Sequence, residues 1–332
     1  MPRRIGAQSE SAETAAPAHG RRGYPFHFPL TPPTGKRKTM KLETRPLPGP
    51  FGVEILGLDL AQPMERETVE ALLNLFHQHQ IIVLREQKLS FGQYDRVTRH
   101  FGGQKPHFLD HLRLNGHPAI LMLTNVQENG RPTGVYRGAA FWHTDVAYED
   151  PPNSSTIVYS LEVPRGGCPT EFADCFTAYD DLPQAMKERI AGLRVIHHYG
   201  NRWDMDENSK HSAETLTPGQ KERVRNVVMP LVRSHHVTGR KALYGVAGSA
   251  FGIEGWPEDE GIGLLDELAH HCIQQKYRTQ YDYAVGDLAA WDTFSTLHKA
   301  QAQEPAHGDT DRRVLWRVSV TGKPPVFQSN GR

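Results

Sequence analysis

Seven short runs rich in β-branched and aromatic residues follow one another from residue 155 to the C-terminus: "STIVYSLEV", "LRVIHHY", "VVMPLVRSH", "ALYGV", "YRTQYDYAV", "DLAAWD" and "RVLWRVSV". Turn signals such as V-T-G-R and V-G-D separate them. Segments this short bury their apolar groups by pairing side by side. The spacing therefore predicts a mainly β fold, a sandwich, barrel or jelly roll, with helices set outside it.

The helices are legible as well. "RETVEALLNLFHQHQ" carries Val69, Leu72, Leu73 and Phe76 at helical spacing. "IIVLRE" after it reads as a buried strand, and "FGVEILGLDL" before it as a strand and turn. "LSFGQYDRVTRHFG" predicts a second helix capped by Ser90. "DEGIGLLDELAHHCIQQ" predicts a third, with Ile262, Leu265, Leu268, Ala269 and Cys272 on its buried face.

The 332 residues hold 38 Lys+Arg against 38 Asp+Glu. That balance argues against nucleic acid or an anionic membrane as main partner, since both select a basic face. No run of 18 or more apolar residues is present to span a membrane. Cys168, Cys175 and Cys272 form no C-x-x-C pair, which fits a reducing cytoplasm rather than a disulfide framework. Adjacent pairs such as His197-His198, His235-His236 and His270-His271 read as surface or packing residues. Residues 1–40 are Arg-rich, acid-poor and without an apolar core. They read as a disordered basic extension, or as sequence upstream of a start at Met40, rather than a secretory signal. Residues 41–332 then form a single domain. Two polar, glycine-containing stretches, near 128–140 and 200–215, are candidate lids.

The chemistry gathers around "FWHTDVAYEDPP". His143 and Asp145 stand two apart, so on a strand both would point the same way. His298, in "TLHKA", is a third possible ligand. Downstream, alternation along "DRRVLWRVSV" puts Arg313, Leu315, Arg317 and Ser319 on one face. Val314, Trp316, Val318 and Val320 take the other. Two arginines at i and i+4 on a strand stand about 13 Å apart. Buried, they need anionic partners, and the Arg fork matches a carboxylate. Two histidines and a carboxylate leave the far side of an ion open, as in the facial triad of non-haem Fe(II) oxygenases. A zinc hydrolase could use the same three ligands, and a non-catalytic sensor could keep the fold; the arginine strand favours the oxygenase.

With "WHTDVAYEDPP", "GGCPTEFADCFTAYDDLP", "GDLAAWDTFSTLHKA" and "DRRVLWRVSVTG" in that order, the chain resembles the taurine/2,4-dichlorophenoxyacetate dioxygenase family. The resemblance covers nearly all but the first 40 residues. It implies a double-stranded β-helix (jelly-roll, cupin-like) core with Fe(II) at one mouth. It also implies a 2-oxoglutarate-dependent dioxygenase that hydroxylates, or oxidatively cleaves, an aliphatic C–H of a small anionic substrate, with release of succinate and CO2. His143, Asp145 and His298 match the iron ligands. Arg313 matches the partner of the distal 2-oxoglutarate carboxylate, and Thr170 the hydroxyl beside it. Arg317 matches a position at the iron-proximal, substrate-acid end. His107, in "QKPHF", lies near a substrate-contacting histidine. O2 is the other co-substrate, ascorbate an accessory reductant, and a dimer or tetramer the expected assembly. "YRGAAFWHTD" departs from the taurine-type pattern, with Ala139 and Ala140 where an Asn is expected. Together with Gly138 and Phe141 they predict a roomier, less polar wall and a substrate other than taurine. Tyr136 or Arg137 would supply a polar contact instead.

Overall fold

The computed structural model describes residues 41–135, 139–199 and 216–328. The basic extension and the 200–215 lid lie outside the described residues, as do Tyr136, Arg137 and Gly138 of the first lid. The described residues belong to one structural unit.

Three strands with almost no exposed residue set the centre. Ser155–Glu162 lies between Leu288–Asp292 and Val314–Thr321, antiparallel to both. Their near-continuous apolar runs are what burial on both faces requires. They belong to a nine-stranded sheet. One pair in it, Val53–Leu56 beside Ile81–Leu84, is parallel. A parallel pair needs a crossover, and the helix Arg66–His79 supplies it. Leu72, Leu73 and Phe76 of that helix are fully buried, each contributing about 1.5–3 kcal/mol. The second helix, Phe91–Arg99, starts at Ser90, whose side chain and that of Gln93 form a capping box.

The expected alternation on the last strand holds. Trp316, Val318 and Val320 pack under the two helices with Leu72, Phe76, Tyr94 and Val97. Leu315 points the opposite way, into a cluster with Val158, Ala289, Trp291, Phe172 and Tyr281. Phe172 and Tyr281 come from a second sheet of three strands, Arg278–Tyr281, Thr170–Asp174 and Thr296–Ala300. The large sheet thus has helices on one face and a smaller sheet on the other.

One local expectation is corrected. The helix Glu258–Cys272 buries Gly261, Leu264, Leu265, Leu268 and Cys272, with Ile262 only half-buried. Gly261 turns the face: a Cβ there would meet the Ile253 backbone nitrogen at 2.8 Å, so the helix lies close on the Ala250–Ile253 strand. His298 follows the short turn at 293–295 and lies within the Thr296–Ala300 strand, opposite Phe172. Among the described residues no helix is long and apolar enough to cross a membrane. All three cysteines are free and buried.

Candidate metal centre and its cavity

His143 is not on a regular strand. A single antiparallel bridge to His298 fixes it, the two residues exchanging N–H···O bonds of 3.0 and 2.9 Å. Two backbone bonds are enough to align the two imidazoles, whose centroids stand 4.1 Å apart. Asp145 follows in a turn, not on a strand, so the alternation argument does not place it. Its carboxylate is held by the Thr156 hydroxyl, which donates to Oδ2 at 2.7 Å, and by Arg317, whose Nη2 lies 2.8 Å from Oδ1.

The donor set has ligand spacing. His143 Nε2 is 3.5 Å from Asp145 Oδ1, and His298 Nε2 is 3.6 Å from Asp145 Oδ2. Bonds of about 2.1 Å to one small cation require separations of this order. His143 Nδ1 sits 2.8 Å from the Phe141 carbonyl. Its proton is therefore drawn to that side, leaving the Nε2 lone pair free. Burial, and then His143 beside it, push His298 down to about 3, so its imidazole is neutral. Burial alone would raise the Asp145 carboxyl, but Arg317 and the two histidines hold it well below the usual carboxylate range. Two imidazoles and a carboxylate suit a divalent ion with open positions.

A second cluster has the same composition and a different geometry. His77, His235 and Asp292 are all buried within reach of one another. Here His235 Nε2 lies 2.7 Å from Asp292 Oδ2, a hydrogen-bond distance too short for two ligands of one ion. His235 Nδ1 accepts from the backbone N–H of Val237 and Thr238 at 3.2 and 3.0 Å, so Nε2 carries the proton and donates. Asp292 in turn accepts from the Phe294 and Ser295 N–H groups, which fixes the turn leading into the His298 strand. This cluster braces the site. The packing reading of His235 holds.

His143, Asp145, His298, Arg313, Arg317, Thr170, His107 and Phe141 all line one cavity of about 440 Å3. Tyr136 lies outside the described residues. The two arginines, expected to share a need for anions, differ. Arg317 has a partner in Asp145, although Nη2 and Nε find no aligned hydrogen bond. Arg313 is 5% exposed, its Nε has no hydrogen-bond partner, and among the described residues no carboxylate pairs with it. A buried guanidinium without an anion is costly, so this end of the cavity fits an anionic ligand.

The other walls are apolar. Ala139 lines the cavity with Leu109, Leu112, Leu121 and Val135. Burial, and then Arg317, push His107 down to about 3. Its Nδ1 accepts from the Leu109 N–H at 3.2 Å, so Nε2–H faces the Tyr148 hydroxyl at 3.4 Å. Tyr148, Tyr283 and Ser249 also line the cavity. Tyr148 falls within "WHTDVAYEDPP" and Tyr283 within "YRTQYDYAV", but neither is singled out there by its residue type, and Ser249 lies in a loop with no motif around it.

A 2,4-dichlorophenoxyacetate dioxygenase of Burkholderia sp. (strain RASC), alpha-ketoglutarate-dependent, is 30% identical over 275 residues, 79% of this chain and 87% of the relative. An alpha-ketoglutarate-dependent sulfate ester dioxygenase of Pseudomonas putida is 26% identical over 296 residues, 86% of this chain and 92% of the relative. The crystal structure of a taurine dioxygenase from Burkholderia xenovorans has a TM-score of 0.67 to this chain at 24% identity. It covers 88% of this chain and 95% of its own, and supports the fold alone. With the family pattern matched continuously from residue 43 to residue 319, the chain belongs to the taurine catabolism dioxygenase TauD, TfdA family.

Proposed function

We propose that this chain is an Fe(II)- and 2-oxoglutarate-dependent dioxygenase acting on a small organic acid with a sizeable apolar body. The observation that carries the reading is Arg313: a buried guanidinium without a carboxylate partner among the described residues, lining the same cavity as His143, a neutral His298 and an ionised aspartate. His143, Asp145 and His298 would hold the metal, and Arg313 with Thr170 the far carboxylate of 2-oxoglutarate. The chemistry that metal, co-substrate and O2 supply when bound is oxidation of a C–H bond, with succinate and CO2 released.

The protein's own part is placement. Arg317 and Thr156 fix the Asp145 carboxylate, and the Phe141 carbonyl fixes the His143 tautomer. The leucine-lined wall excludes water and takes an apolar body. Arg317, with unaligned donors at the metal end, is the group to meet a substrate acid. Aryloxyacetate and sulfate ester, the compounds named for the relatives, are both anions carrying an apolar part. The product is a hydroxylated carbon, or a cleaved bond where that carbon bears a heteroatom. The two facing sheets support reading the core as a double-stranded β-helix.

Anaerobic addition of Fe(II) and then 2-oxoglutarate to the metal-free protein is expected to produce a metal-to-ligand charge-transfer absorption. Its absence, with oxygen-independent turnover on Zn(II), would replace this reading with a hydrolase. Substrates are then found by succinate release across sulfonates, aryloxyalkanoates, alkyl sulfates and N-acyl amino acids.

Gly248 supports the ligand face from behind. It has φ +74°, and a Cβ there would lie 2.5 Å from His143 Cβ and 3.1 Å from its Cα. Gly248→Ala adds about 1–2 kcal/mol of backbone strain and moves His143. Mn(II) affinity by calorimetric titration is expected to fall about tenfold or more, while Gly255→Ala, with open space around it, leaves that affinity unchanged.

A further inference from the structure

Tyr283 lies just past the Arg278–Tyr281 strand, next to that strand's Tyr281–Thr170 pairing. Tyr281 and Tyr283, two apart, do different things. The Tyr281 hydroxyl is taken up by Asp287. The Tyr283 side chain is 5% exposed and lines the same cavity as Thr170 and Arg313. Its phenol is a donor at a buried position in the cavity that also holds a guanidinium with no carboxylate partner among the described residues. A neutral O–H next to an unpaired cation is a matched donor pair for a carboxylate.

We propose that Tyr283 is a co-substrate-binding residue, whose phenol joins Arg313 and Thr170 in binding the distal carboxylate of 2-oxoglutarate. The inference rests on the co-substrate reading above and adds a third donor to it. Burial keeps the phenol protonated by pushing it above its usual range, so a carboxylate beside it meets a donor and not a second anion. The competing role is packing alone, since Tyr283 also belongs to the cluster holding Phe172 and Trp291.

The two roles separate on ligands that differ only at the far end. 2-Oxoglutarate and 2-oxobutyrate share the chelating keto acid, but 2-oxobutyrate lacks the distal carboxylate. Both would be titrated anaerobically into the Fe(II)-loaded full-length protein, followed by charge-transfer absorption, with thermal melts of each variant alongside. Tyr283→Phe is expected to raise the Kd for 2-oxoglutarate about tenfold, the scale of one hydrogen bond to a charged group, and to leave the Kd for 2-oxobutyrate unchanged. Tyr283→Met, which fills the space without a hydroxyl, is expected to show the same selectivity. An unchanged 2-oxoglutarate Kd in a folded variant, or equal weakening of both ligands, would overturn the assignment. The wild-type arm reports separately: if the wild type binds neither keto acid, the co-substrate reading itself falls.

Discussion

Asp145→Asn is expected to abolish metal-dependent turnover and, independently of any metal, to lower the stability of the metal-free protein by about 2 kcal/mol. The two effects have different causes. The first is loss of the carboxylate ligand from a three-ligand set. The second comes from Arg317, 9% exposed, whose charge is answered by Asp145. Breaking a buried pair from one side costs about 3–5 kcal/mol. The cavity admits water to this arginine, which reduces the figure. Asp145→Asn combined with Arg317→Met removes the orphaned charge. It is therefore expected to recover most of the stability and none of the Mn(II) binding. Urea unfolding of the metal-free proteins and calorimetric titration with Mn(II) check the two halves. A single variant as stable as wild type would mean that Arg317 is neutralised by another group.

This coupling could not be read from the chain, because Asp145 and Arg317 meet only through the tertiary fold. What could be read was local. Val69, Leu72, Leu73 and Phe76 mark a helix by period alone, and Ser90 with Gln93 mark the start of the next. Trp316, Val318 and Val320 mark one face of a strand in the same way. Where polar residues make strands, the pattern is silent. Thr170–Asp174 and Thr296–Ala300 hold Thr, Glu, Asp, His and Lys, yet most of their residues are buried, since partners elsewhere satisfy them. The Thr296 hydroxyl, for example, donates to the Asp292 carbonyl at 2.6 Å. The ligand residues were visible as residue types in order. Their spacing depends on a two-bond bridge between His143 and His298, which no periodicity encodes. Gly248 and Tyr283 were invisible for the same reason, each acting on a residue far away in sequence.

Arg313 should respond in the opposite sense to Asp145. Arg313→Met is expected to raise the Kd for 2-oxoglutarate about a hundredfold or more while leaving the metal-free protein as stable as wild type, or more so. The guanidinium is held by its backbone: the Arg313 N–H donates to Asn125 Oδ1 at 2.8 Å, and that bond survives the substitution. Its side chain has no carboxylate to lose among the described residues, so removing the charge relieves a desolvation cost without orphaning an anion. The bound state loses a charge-assisted contact in a water-poor pocket, worth about 2–5 kcal/mol, and 1.4 kcal/mol is a factor of ten. Mn(II) affinity should be unchanged, since Arg313 is not among the triad's ion pairs. Unlike Tyr283→Phe, with its single neutral donor, the change removes a full charge and a fork of donors, so its effect on 2-oxoglutarate should be the larger by about tenfold. Charge-transfer titration gives the affinity and thermal melting the stability. A fall in stability together with unchanged 2-oxoglutarate binding would assign Arg313 to the scaffold and leave the cavity without its anion site.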